Sequence, residues 1–352
     1  MPRRLRHVYV IGRGYPTTAG GGAGQASGAS MRRFLVALAL AWAPLSAGAQ
    51  GIELRFIGQQ LVPFGAQVGG TIIGGLSGLD SDPARGRFRA ISDDRSQFGP
   101  ARAYDLTLAL SSTSFSSVSF TGVTLLRDEA GQTFPSLGVD PEAIRRSASG
   151  TWFWANEGDR VRGQNPWVRE MAEDGRFLRA FEIPSKYLVN EGPGTGVRDN
   201  LSFESLALSP DGRTLVAANE NALIQDGPVA TTGSGMPVRL LFLDVRTGRP
   251  LREFVYLADP VAAPPVPPTG FRTSGLVELL AVSDTRMLAL ERSFSAGAGF
   301  SARIYDVSTA GATDVLPLAG LGSASYRPVA KTPLVDLDPI PGVVLTNVEG
   351  MS

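Results

Sequence analysis

Acidic side chains recur in this sequence at spacings that would let them act together. Glu142 and Glu157, Glu204 and Glu220, and Glu278 and Glu291 form pairs 15, 16 and 13 residues apart, and Ser77 with Asp93 or Asp94 takes the same places in an earlier segment. A further start, NVEGMS from Asn347, supplies Glu349, and an arginine follows each pair, at Arg102, Arg169, Arg239 and Arg303. Converging carboxylates suit a hard, oxygen-liganded cation such as Ca²⁺, expected here on Glu142, Glu157, Glu204, Glu220, Glu278, Glu291, Glu349 and Asp93. Guanidinium forks suit bidentate recognition of phosphate, which assigns Arg102, Arg169, Arg239 and Arg303 to substrate. A metal ion lowers the pKa of water and neutralises developing charge, so phosphate-ester hydrolysis would need no histidine. The alternative is that Glu and Arg of successive repeats pair with one another and only lock the repeats together.

Other chemistry is excluded by composition. The chain has no cysteine, and its single histidine, His7, lies in an N-terminal segment expected to be removed. Ser-His-Asp triads, cysteine nucleophiles and His-ligated zinc are therefore ruled out for the remainder. No G-x-S-x-G elbow occurs, and the Asp80-Ser81-Asp82 stretch lacks the rest of a calcium-loop pattern. No residue is singled out as catalytic.

The elements that would carry these residues repeat along the chain. GGLSGLDSDPARGRFRAISDD from Gly74, GVDPEAIRRSASGTWFWANEG from Gly138, LSFESLALSPDGRTLVAANEN from Leu201 and GLVELLAVSDTRMLALERS from Gly275 each read as strand, turn, strand. Taking Ser77, Glu142, Glu204, Glu278 and Glu349 as equivalent gives periods of 65, 62, 74 and 71 residues. That length suits a four-stranded propeller blade better than a helical repeat. Antiparallel neighbours reverse direction, so the start of a first strand, the end of a second and the start of a third share one end of the blade. The expectation is an all-β propeller with a ring of carboxylates and guanidinium groups on one face.

Met31-Arg32-Arg33, the apolar run Phe34 to Leu45 and the small residues Ala47-Gly48-Ala49 have the three parts of a signal peptide. Residues 1–30 read as an upstream extension without structure, 31–49 as the signal, and 50–352 as the propeller domain, with Gln50 as the mature N-terminus. Residues 1–49 hold six Arg and no acid, which leaves 27 basic and 33 acidic residues and a net charge of −6. Nucleic acid is therefore not an expected partner. The apolar run is shorter than the ~20 residues a membrane span needs. A periplasmic or secreted monomer, without membrane insertion after cleavage and binding a small anionic or phosphorylated ligand, is expected.

Taken in order, GGLSGLDSD, PEAI, FESLALSPDG, GLVELLAV and NVEGM resemble the phytase-like family described as esterase-like activity of phytase, from about Gly74 to Ser352. The resemblance implies an exported bacterial propeller of five or six blades with phosphoesterase-type activity. It also implies that the last blade is incomplete at the C-terminus, while Ile52 to Ile57 forms a strand that closes the ring. A non-catalytic propeller that binds a ligand or protein on the same face is the alternative.

Overall fold

The computed structural model describes residues 52–352 except 190, 191, 193 and 323, and describes backbone alone for His7–Arg13 and Leu35–Trp42. The expected cleavage site at Ala47 to Ala49 lies outside the described residues. Four antiparallel four-stranded blades follow one another along the chain. The first comprises Leu76–Asp82, Arg87–Ser92, Arg102–Leu110 and Phe115–Leu125. Pro141–Arg146, Trp152–Asn156, Trp167–Met171 and Phe177–Ala180 form the second. The third holds Phe203–Leu208, Thr214–Asn219, Met236–Asp244 and Pro250–Ala258, and the fourth Arg272–Ser283, Arg286–Ser295, Gly299–Ser308 and Ala330–Asp336. Short turns join the first two strands: Ser209-Pro-Asp-Gly212, for example, closes with Gly212 at φ 72°, where glycine carries no Cβ penalty. Among the described residues the only helical elements are the single turns Ser185–Tyr187 and Ile224–Asp226, and no helix is long and apolar enough to cross a membrane.

A further sheet is built from both ends of the chain. Asn347–Met351 pairs with His7–Arg13, which pairs with Leu35–Trp42, which pairs with Leu54–Val62. The strand Leu54–Val62 thus lies in one sheet with the last inner strand, joined to it only through Leu35–Trp42 and His7–Arg13, the segments read in the sequence as a signal and an extension without structure. The inner strands touch in cyclic order: Leu76–Asp82, Pro141–Arg146, Phe203–Leu208, Arg272–Ser283, Asn347–Met351, and back to the first.

The core lies between blades, not within them. Ile91, Ala103 and Ile144 pack with Trp152 and Trp154 between the first and second blades. Phe153, Phe203, Leu206 and Leu241 fill the space between the second and third, and Val238, Tyr256, Leu276 and Tyr305 that between the third and fourth. Each blade twists, so its two faces meet two different neighbours, and both must be apolar near the axis. At the centre the inner strands approach closely. A Cβ on Gly78 would lie 2.8–2.9 Å from the backbone of Glu142, Ala143 and Ile144.

Gly78→Ala is expected to cost about 2 kcal/mol, because the atom it meets is backbone and cannot turn aside. Gly74→Ala, with open space at its Cβ, should stay within about 0.5 kcal/mol. Urea denaturation of the two variants checks the pair; equal midpoints would refute the backbone contact between the first two blades.

A carboxylate centre at the mouth of the channel

A one-residue bulge recurs in the inner strands. Pairing jumps from Leu76 to Gly78, from Pro141 to Ile144, from Phe203 to Ser205 and from Leu276 to Glu278, each against consecutive or near-consecutive partners on the second strand. The last inner strand shifts in the same way around Glu349. A bulge leaves the extra residue unpaired and re-aims its side chain, here Ser77, Glu142, Glu204 and Glu349. Just beyond the second strands, Asp93, Glu157 and Glu220 each donate a backbone N–H to the chain preceding the inner strand, at Gly75, Asp140 and Ser202. Bulge and strand end therefore bring two carboxylates each from the second and third blades, Ser77 and Asp93 from the first, and Glu349 from the last inner strand to the same level.

These side chains surround a cavity of about 230 Å³ lined by Asp93, Asp140, Glu142, Glu204, Glu220 and Glu349 together with Arg95 and Arg292, and rimmed by Asn200, Phe271 and Asn347. Oxygens of Asp140, Glu142 and Glu157 lie within 4.8 Å of one another, as do those of Glu157, Glu204 and Glu220. Glu157 belongs to both sets. Arg292 bridges Glu220 and Glu349 at 2.8 Å each. Arg95 sits 3.3 Å from Asp140 and also pairs with Asp159. Ser77 donates to Glu142, Asn347 donates to Glu349, and the Ser202 N–H donates to Glu157 at 2.7 Å. Close approach is required at Gly275, whose Cβ would fall 2.2 Å from Glu220 Cγ.

Burial first, and then the neighbouring carboxylates, push Glu157 and Glu204 well above the ordinary carboxylate value of 4.5. For Glu157 the next contributors are Glu204 and Asp140; for Glu204 they are Glu142 and Glu220, with Arg292 opposing. Both carboxyls are therefore biased toward the protonated form or toward a bound cation.

Below this level the channel is plugged. Arg145 of the second blade donates to the carbonyls of Leu79 in the first blade and Leu279 in the fourth, at 2.8 Å each, and pairs with Glu278 at 2.7 Å. Burial lifts Glu278 to about 7 against the pull of Arg145. The residue after the bulge is Gly78, Ala143 and Ser205 in the other blades and Gly350 in the last inner strand. Those small residues leave the axis free for Arg145 and Glu278.

The model of the Phytase-like family, described as esterase-like activity of phytase, matches residues 71–352. The chain belongs to this family. A Phytase-like match of that extent covers all four blades and the last inner strand, hence every residue of the cavity. An uncharacterized secreted protein of Arthroderma benhamiae is 27% identical over 114 residues, covering 26% of this chain and 21% of that protein, so the chain spans about a fifth of its length. Among solved structures, the Phytase-like chain is similar to the periplasmic gluconolactonase PpgL of Pseudomonas aeruginosa (13% identity, 92% of this chain and 83% of that one, TM-score 0.36). It is likewise similar to a glycosyl hydrolase from Bacteroides ovatus (12% identity, 93% and 87%, TM-score 0.41).

The remaining residues expected from repeat phase fall elsewhere in this Phytase-like fold. Glu291 pairs opposite Leu276, so it occupies the place of Asn156 and Asn219, and Arg292 takes the place of Glu157 and Glu220. Glu291 points between blades, where it accepts from Tyr256, Lys331 and the Asp259 N–H. Arg102 is paired with Asp94 at 2.7 Å, Arg169 with Glu129 at 2.6 Å over the Trp167 ring, Arg239 with Asp226 at 2.6 Å, and Arg303 with Asp336 at 2.9 Å. Third strands lie roughly 10 Å outside the inner ones, so arginines there serve blade packing and not the channel. The guanidinium groups at the cavity are those of Arg95 and Arg292. Asp140, Arg95, Arg145, Arg292, Asn200, Phe271 and Asn347 were not singled out as site residues from the sequence; Asp140, one residue before the PEAI motif, Asn347, at the start of NVEGMS, and Arg292, directly after Glu291, had a positional signal.

A raised folded-state pKa means that the folded protein keeps protons the unfolded chain releases. The stability gained is full below the ordinary carboxylate range and is lost as pH rises through the raised values, about 7 for Glu278. Glu173 has the opposite sign: burial opposes it, but the Trp152 N–H, Arg89 and Arg87 bring it down to about 2, so its contribution is lost only in strong acid. Protein held in chelator is therefore expected to melt on the order of 5 °C higher at pH 5 than at pH 8. Glu157→Gln should flatten that slope, and a wild-type melting temperature independent of pH would contradict the buried cluster.

Proposed function

We propose that the channel mouth is the metal-dependent active site of an exported phosphoric ester hydrolase acting on small phosphorylated substrates. The observation that carries this reading is the pair of carboxylate triads sharing Glu157. Their all-oxygen donor set fits Ca²⁺, with Asp140, Glu142, Glu157, Glu204 and Glu220 as the residues that would hold it. The ion would supply Lewis-acid polarisation of a phosphoryl oxygen and a lowered pKa for water. The protein's own contribution is positional and electrostatic. Arg292, braced by Glu220 and Glu349, and Arg95, braced by Asp140, present fixed donors to an anion entering the cavity. Their rigidity lowers the entropy cost of orienting the ester. The Arg145–Glu278 plug closes the far end and excludes water from below.

A second reading is favoured by how many of these carboxylates already have protein partners, Ser77, Asn347, Arg292 and the Ser202 N–H among them. In that reading the propeller binds a ligand or protein without turning it over, and calcium is structural. The two readings part on turnover.

The cyclic contact of five inner strands supports a five-bladed ring. Export is supported by the apolar run before Ala49 and by the secreted relative. The excess of acid over base after residue 49 supports a partner other than nucleic acid. The protein acts as a monomer in the periplasm or outside the cell, without membrane insertion.

Calorimetric titration of chelator-stripped protein with Ca²⁺ is expected to show saturable binding that Glu157→Gln abolishes, since that residue serves both triads. Hydrolysis of 4-nitrophenyl phosphate should vanish in EDTA, return with Ca²⁺, and fall at least about 100-fold in Glu204→Gln with the melting temperature retained. Calcium binding without turnover would favour the second reading; no calcium binding would remove the first. Mass spectrometry of protein exported from a bacterial host is expected to find Gln50 as the N-terminal residue, and a mature chain that begins upstream of residue 31 would refute the signal.

A further inference from the structure

We infer that the centre selects phosphate monoesters with a planar aromatic leaving group, held by stacking on Phe271; this rests on the hydrolase reading above. The cavity of about 230 Å³ is smaller than the ~300 Å³ at which pockets begin to enclose a drug-sized molecule. It takes a phosphoryl group beside Arg95 and Arg292, and the rest of the ester must lie on the rim. Among the described residues Phe271 is the one large apolar side chain lining the cavity, and it is 68% exposed.

Its backing explains why an exposed ring there is a platform and not a loose side chain. The Phe271 ring lies against Phe294 with centroids 6.1 Å apart, and Phe294 lies against Phe300 at 4.8 Å. The Phe271 carbonyl accepts from Ala296 N–H at 2.9 Å, and Val266 N–H donates to the Ala296 carbonyl at 2.7 Å. At Gly270 there is little room, since a Cβ would lie 3.0 Å from Ala296 and from the Pro267 carbonyl. The Phe271 ring is thus backed by Phe294 and, being largely exposed, offers surface beside a pocket of carboxylates and guanidinium groups. An aromatic group beside the phosphate would cover that surface, and ring–ring stacking is worth a several-fold gain in affinity.

Phenylphosphonate and methylphosphonate, which carry the same anion and are not hydrolysed, separate the two contributions in a calorimetric titration of the calcium-loaded protein. The expected result is that phenylphosphonate binds about 5- to 10-fold more tightly. Phe271→Ala should erase that ratio and leave methylphosphonate unchanged, and Phe271→Tyr should keep it. The same ratio is expected in kcat/KM for phenyl over methyl phosphate. Equal affinities in the wild type, or a ratio that survives Phe271→Ala, would overturn the aryl selectivity and leave the hydrolase reading intact. If neither phosphonate binds, the anion site itself is wrong and both proposals fall.

Discussion

Mutual repulsion among buried carboxylates is the constraint to which the centre of this molecule answers. At the 4.8 Å within which the triad oxygens fall, two full charges in a medium of effective dielectric 20 repel by on the order of 3 kcal/mol. Several such pairs converge at one point. Every arrangement around them lowers that cost. Arg292 spans Glu220 and Glu349, Asn347 also donates to Glu349, Ser77 donates to Glu142, and burial drives Glu157 and Glu204 toward the protonated form.

The same constraint gives the centre its chemistry. A cluster that resists full ionisation is poised to take up protons or a cation, and the two are in competition as pH changes. Replacing any one carboxylate with a neutral group relieves strain as well as removing a ligand. Stability and ion binding are thus opposed at this site, as is common where function retains an arrangement that folding alone would not choose. The apolar cores between the blades carry the burden of stability elsewhere.

The outer parts of the blades use charge differently. Arg87, Arg89 and Arg146 share Asp82, Asp105 and Glu173 between the first two blades, and Arg239 lies fully buried between Asp226 and Glu253. There each cation has its anion close by, and removing one partner would leave the other uncompensated. The pairs of Arg87, Arg89 and Arg146 hold the first two blades in register, whereas Arg239, like Arg102 and Arg303 at the same strand position, pairs within its own blade.

Much of this was legible in residue order. Repeats of 62 to 74 residues, the SPDG-type turns and the alternation in TWFWANE set the strand pattern, because turn chemistry and side-chain period are local properties. The residues Glu142, Glu157, Glu204, Glu220, Glu349 and Asp93 could be located for the same reason: each sits at a fixed offset from a turn. What sequence could not decide was the face to which a side chain points. In the fourth blade the bulge falls on Val277, so Glu278 takes the place of Gly78, Ala143 and Ser205 at the level of Arg145, Glu291 that of Asn156 and Asn219, and Arg292 reaches the channel. Strand period is two, so a slip of one residue reverses inside and outside. Only pairing with the neighbouring strand, and the space left by Gly78, Ala143, Ser205 and Gly350, fixes which of the two is realised.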